Sequence, residues 1–95
     1  MWYVKKPIVI EARQWTGDNL VALQAFTNGQ FQAVDETDRE DNPEHDAQVF
    51  DKLHSTWVSL KPSDWVIRGI QGEFYPCTND VFEATYEAVE EEVPA

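Results

Sequence analysis

Thiol nucleophilic catalysis needs a cysteine and a base to take its proton, and this chain of 95 residues holds Cys77 with two histidines, His45 and His54. Cys77 follows Pro76 at the end of a run that reads as a strand, where a free cysteine packs as a small hydrophobe. His54 stands in the polar pair His54-Ser55 between two apolar runs, the setting of a turn or surface residue. Glu73 with Asp64 or Asp80 could be written as a general acid and base, but a chain with 18 acids supplies such pairs by chance. The expectation is therefore a protein without a catalytic residue.

Metal and phosphate chemistry fare no better. The two histidines and the cysteine lack ligand spacing, and the Asp35 to Asp46 run has no glycine at the sixth position that a calcium-binding loop of the EF-hand type uses. Gly17, Gly29, Gly69 and Gly72 are spread among turns, so no glycine-rich loop could cradle a phosphate. Neither a metal site nor a cofactor is expected.

What remains is recognition chemistry. Trp2, Trp15, Trp57 and Trp65, with Tyr3, Tyr75 and Tyr86, are more large rings than one small core can hold. Trp15, Trp65, Phe74 and Phe82 are assigned to packing, and Trp57 and Tyr75 to an exposed interaction patch. Arg13 and Arg68 are cations that could meet an anionic ligand or pair with Glu73 in the same sheet. Together with His54 these make up the candidate binding residues: Trp57, Tyr75, Glu73, Arg68, His54 and Arg13.

The charge sets the class of partner. The chain carries −11, yet residues 1–34 hold Lys5, Lys6 and Arg13 against Glu11 and Asp18, a net of +1, which leaves −12 for the remainder. Nucleic-acid binding depends on lysine and arginine displacing counterions from phosphate, so no direct nucleic-acid partner is expected. An acidic surface can instead dock a basic partner.

These groups must be positioned by a small domain. A chain of this length buries roughly 60–65% of its unfolded surface, enough for one modest core. Apolar runs such as Ile8-Val9-Ile10 and Trp65-Val66-Ile67 have three residues where a spanning helix needs about 20, so no membrane segment is expected. A lone cysteine and the lack of a secretory leader pattern point to a reducing cytoplasm.

Ile8 to Trp15 alternates as a strand, with Ile8, Ile10 and Ala12 on one face and Glu11 and Arg13 on the other. Thr16-Gly17-Asp18 offers a turn and a helix cap, Leu20, Leu23 and Phe26 recur at helical spacing, and Asn28-Gly29 supplies the stop. Phe31 to Val34 reads as a strand. The acidic segment 35–47, with Pro43 inside it, reads as a mobile loop. Val49–Leu53 and Thr56–Leu60 flank His54-Ser55 as a tight hairpin. In Lys61-Pro62-Ser63-Asp64, serine in third place favours a type I turn. Trp65–Arg68 and Glu73–Tyr75 form a second hairpin around Gly69-Ile70-Gln71-Gly72, which Pro76 ends. Asp80 and Glu83 resemble a capping box and Phe82 and Tyr86 sit at i, i+4, which suits a short helix. The alternation of Phe82, Ala84, Tyr86 and Ala88 would also suit a strand from about Thr85 to Val89, and residues 90–95 read as a disordered acidic tail.

The opening Lys5-Lys6-Pro7 to Gln14-Trp15-Thr16-Gly17-Asp18-Asn19, the middle Lys52-Leu53-His54-Ser55-Thr56-Trp57-Val58 and the close Trp65 to Tyr86 resemble a family of small uncharacterised proteins encoded by bacteriophages, especially those of actinobacteria, and by prophages. The resemblance covers both ends of the chain and skips the acidic loop. One departure is Ser63, where relatives often place glycine. It implies a phage origin and a compact fold, with the host cytoplasm as the setting.

The expectation is thus a single α+β domain over residues 1–89. It has a mostly antiparallel sheet of five or six strands, an amphipathic helix after the first strand and a short C-terminal helix. Its function would be that of a non-enzymatic phage accessory protein binding a host or phage protein. The alternative is a small-ligand binder holding a nucleotide-like anion with Arg13, Arg68 and an aromatic wall. An exposed sheet edge would also allow self-association into a homo-oligomer.

Overall fold

Strand β5 (Trp65–Arg68) is flanked antiparallel on one side by β1 (Glu11–Gln14) and on the other by β6 (Phe74–Cys77). A second antiparallel sheet sets β3 (Ala47–Asp51) between β2 (Phe31–Ala33) and β4 (Thr56–Leu60). Helix α1 (Leu20–Phe26) joins β1 to β2, and α2 (Asn79–Thr85) follows β6. The computed structural model describes residues 1–3, 8–39 and 42–87, so the expected tail at 90–95 lies outside the described residues. The fold is an α+β single domain, but the six strands among the described residues are divided between two sheets rather than joined in one. No helix among the described residues is long and apolar enough to cross a membrane.

The two sheets and α1 share one core. Ala47 and Val49 of β3 and Leu60 of β4 point inward with Phe31, Trp15, Val66, Phe74 and the helix residue Leu23, all buried. The Trp15 and Phe31 rings meet at 5.1 Å. The 3.6-residue spacing of Leu20, Leu23 and Phe26 lays one stripe of α1 on this core. Asn28 and Gly29 then stop the helix with φ of 57° and 85°, values that asparagine and glycine tolerate.

The helix start differs from expectation. Asn19, not Asp18, holds the cap position, and its amide faces backwards: Oδ1 accepts from the Thr16 N–H at 3.0 Å, and Nδ2 donates to the Gln14 carbonyl at 2.9 Å. Asp18 instead accepts from the Thr16 hydroxyl. Regular pairing of β1 begins only at Glu11, leaving Ile8 and Val9 exposed.

Two turns are also corrected. Ser63 has φ of 87°, so the turn over 61–64 has the positive φ of a type II turn at the third position rather than type I geometry. It is held by the Ser63 N–H on the Trp15 carbonyl at 2.7 Å and by the buried Asp64 carboxylate, which accepts from the Lys61 N–H and, at 2.8 Å, from Lys61 Nζ. This pairing with Asp64 raises the Lys61 pKa. The β3–β4 hairpin pairs Asp51 with Thr56, so its loop has the four residues Lys52 to Ser55 instead of the two expected. The Asp51 Oδ1 accepts from the N–H groups of Leu53 and His54, and Ser55 turns the corner at φ 52°.

Pro76 does not end its strand. It lies inside β6 opposite Val66, at a pair whose backbone groups on β6 face away from β5, so its missing N–H costs the ladder nothing. The acidic segment likewise carries local structure. A 3₁₀ turn over Glu36–Asp38 is capped by Asp35, whose carboxylate accepts from the Thr37 N–H and hydroxyl, both at 3.0 Å, and whose pKa these bonds lower. Asp46 accepts from Trp15 Nε1 at 2.7 Å, and Ala47 already belongs to β3. Helix α2 runs to Thr85 and Tyr86 is extended, so the chain is helical and then extended up to residue 86. Thr78 holds the cap position there, with Asp80 and Glu83 both inside the helix, so the expected capping box is not formed. Ala88 and Val89 lie outside the described residues.

Candidate functional site

The outer face of the β2-β3-β4 sheet is built by strand alternation. With Ala47, Val49 and Leu60 committed to the core, Gln48, Phe50, Trp57 and Ser59 must stand on the opposite side. The register puts Phe50 directly across from Trp57, and their rings meet edge to face at 5.4 Å and 66°. Trp57 nonetheless stays 39% exposed. The next cross-strand row is polar: Gln32, Gln48 and Ser59, with Gln48 Nε2 donating to Gln32 Oε1 at 3.2 Å.

Beside that row lies a shallow depression of about 210 Å³, lined among others by Asp38, Arg39, His45, Gln48 and Ser59. His45 Nδ1 and Ser59 Oγ are 2.8 Å apart across it. Arg39 donates from Nε to the Val34 carbonyl at 3.1 Å and from Nη1 to the Pro43 carbonyl at 3.2 Å, which ties the acidic segment to this face.

The six candidate residues are not gathered in one place. Trp57 is on this face, and His54 is in the hairpin loop at its end, exposed and bound through Nδ1 to Asp51 Oδ2 at 2.8 Å. That contact is the main cause of the lowered Asp51 pKa. Tyr75 is elsewhere: it pairs with Ile67 on the side of the other sheet that α2 covers, half-buried. Burial first, then the Tyr86 hydroxyl, pushes its pKa up to about 12.

Glu73 is committed to its own loop. Its carboxylate accepts from the Gln71 N–H at 3.0 Å and fills the space that a side chain at Gly69 would need. Arg68 reaches Glu11 at 3.8 Å, and Arg13 lies over the Phe26 ring at 4.8 Å. Arg68 borders a second depression of about 160 Å³, which Arg13 does not line, so this depression does not bring the two cations together.

Cys77 is half-buried, with Sγ near the Thr78 carbonyl at 3.5 Å. Burial, and next the nearby Asp64, raises its pKa, the opposite of what an activated thiolate requires. Both imidazoles are engaged elsewhere, His54 with Asp51 and His45 with Ser59.

Sequence reasoning missed Phe50, Gln48, Ser59 and Arg39, and weighed His45 only as a base for Cys77. The first three could have been found from the hairpin register, because a two-residue loop places Trp57 opposite Lys52 and the observed four-residue loop places it opposite Phe50. No protein-family model, curated protein or solved structure matches this chain.

Proposed function

We propose that this chain is a non-enzymatic accessory protein of bacteriophage origin that binds a host or phage protein in the host cytoplasm, and that the outer face of the β2-β3-β4 sheet is its contact surface. The observation that carries the reading is Trp57, a large ring packed edge to face with Phe50 yet 39% exposed. A tryptophan already packed against a neighbour gives up less conformational freedom on binding than a free one, and tryptophans are prominent in the energetics of protein interfaces. The polar row Gln32, Gln48 and Ser59 beside it supplies the hydrogen-bonding rim that interfaces carry around an aromatic centre.

The net charge of −11 selects a basic partner and speeds its encounter. The resemblance to phage proteins supports the origin. The test is binding of the full chain to candidate host proteins, with Trp57→Ala as the comparison. The proposal predicts at least a tenfold loss of affinity in the variant; equal binding by both would refute it.

A further inference from the structure

Among the described residues the four strand edges are not equivalent, and the hydrogen-bond register identifies which residues turn their backbone groups outward at each. On β1, Ala12 and Gln14 face outward, and both carbonyls are occupied, by Arg13 Nη1 at 2.9 Å and Asn19 Nδ2 at 2.9 Å. On β6 the outward residues are Phe74, which is buried, and Pro76, which has no N–H. On β2 they are Phe31, wholly buried, and Ala33. The β1 edge is blunted by its occupied carbonyls and the β6 edge by burial and proline, while on β2 the burial of Phe31 leaves Ala33 as the one exposed outward residue.

The β4 edge is different. Val34 N–H donates to the Asp46 carbonyl and Phe50 N–H to the Gln30 carbonyl, so the even-numbered residues of β3 bond to β2 and the odd-numbered ones to β4. Through the register, Thr56, Val58 and Leu60 are therefore used by β3, and Trp57 and Ser59 turn their N–H and C=O groups outward. Both residues are exposed. Among the described residues these groups meet no partner apart from the Thr56 hydroxyl, 3.5 Å from the Trp57 carbonyl.

We propose that β4 takes up an extended, lysine- or arginine-bearing segment of the partner protein as a fourth strand, bonded to the backbone of Trp57 and Ser59. This rests on the reading of the outer face given above and specifies how that face is used. Alternate side chains of the added strand would continue the outer face, one against the exposed part of Trp57 and the next toward the depression beside Ser59. The charge argues for a basic occupant over a second copy: Asp38 lines the depression and Glu44 stands 3.9 Å from His45, against the single guanidinium of Arg39, which is engaged with backbone carbonyls, and two chains of −11 repel each other.

The experiment uses the full chain and, as probe, a ten-residue peptide of alternating lysine and valine, with the glutamate-valine peptide as control. Binding is followed by titration and by amide hydrogen exchange. Ser59→Pro removes an outward N–H while keeping the β3 ladder, and Ser59→Ala controls for the lost His45 contact. The expected result is slowed exchange at the Trp57 and Ser59 amides with the basic peptide only, and at least tenfold weaker binding by Ser59→Pro than by Ser59→Ala. Should Ser59→Pro fail to fold, the exchange result on the natural chain decides alone.

Binding without protection of those two amides would overturn the proposal, as would a dimer of the free chain that Ser59→Pro dissolves. Loss of partner binding in Trp57→Ala but not in Ser59→Pro would refute strand addition and leave the face reading standing. Loss in neither would refute both.

Discussion

The Trp65 indole lies flat against the Phe82 ring, 3.9 Å between centroids and 6° from parallel. The same indole donates from Nε1 to Asn79 Oδ1 at 2.9 Å, so one side chain of β5 holds α2 by both its face and its polar edge. Phe82 passes the stack on to Tyr86 at 5.0 Å. This aromatic run closes the side of the β1-β5-β6 sheet that faces away from the shared core, and it explains why Ile67 is buried without belonging to that core.

A helix of seven residues has little stability of its own and depends on such packing. Phe82→Ala should therefore cost about 2 kcal/mol, below the value for a fully buried phenylalanine because this ring is half-buried. Chemical denaturation measures it. A loss below about 0.5 kcal/mol would show that α2 is held by something other than the stack.

Ser63 adopts a conformation that glycine favours. Left-handed backbone costs a residue with a Cβ about 1 kcal/mol. Offsetting this, glycine adds freedom to the unfolded chain. Ser63→Gly should raise stability by a few tenths to about 1 kcal/mol, read as a higher midpoint of thermal unfolding. A lowered midpoint would contradict the turn assignment.

The raised pKa of Tyr75 predicts a pH dependence with a definite sign. A phenol whose folded pKa of about 12 exceeds its ordinary value favours the neutral form in the folded state. Its contribution is complete below pH 10 and is lost as pH rises toward 12. Stability should fall over that window, and Tyr75→Phe should fall less steeply. Parallel alkaline unfolding curves for the two chains would contradict the burial of this hydroxyl.

Gly69 is kept small by Glu73, whose carboxylate occupies the position of a would-be Cβ. Gly69→Ala should push that carboxylate off the Gln71 N–H and destabilise by about 1 kcal/mol. In Glu73→Ala the same substitution should cost much less. A double-mutant cycle measures the coupling, and additive effects would contradict it.

Much of the fold was legible locally. The Leu20, Leu23, Phe26 spacing, the Asn28-Gly29 stop and the β-branched runs around Val49, Val58 and Val66 each mark their element without reference to the rest of the chain. What was hidden depends on distance. Glu11 pairs with Arg68 and Phe31 with Val49, and nothing in local alternation shows that the two hairpins belong to separate sheets. The position of Tyr75 was misjudged because its exposure is decided by α2, which follows it in sequence. Ser63 was misread because residue preference is a weaker force than the Trp15 and Asp64 contacts that fix the turn. At the candidate site only Trp57 was visible in the sequence. Arg39 and His45 reach that face through a segment whose composition resembles that of a solvated loop.

The central claim is that partners meet the outer face of the β2-β3-β4 sheet. A photo-crosslinking side chain placed at Gln48, on that face, and separately at Val21, exposed on α1, tests it directly in host cells. The account predicts one dominant adduct from Gln48 that disappears when Trp57→Ala is added, and none from Val21. The same adducts from both positions, or an adduct from Gln48 that persists in the Trp57→Ala background, would contradict it.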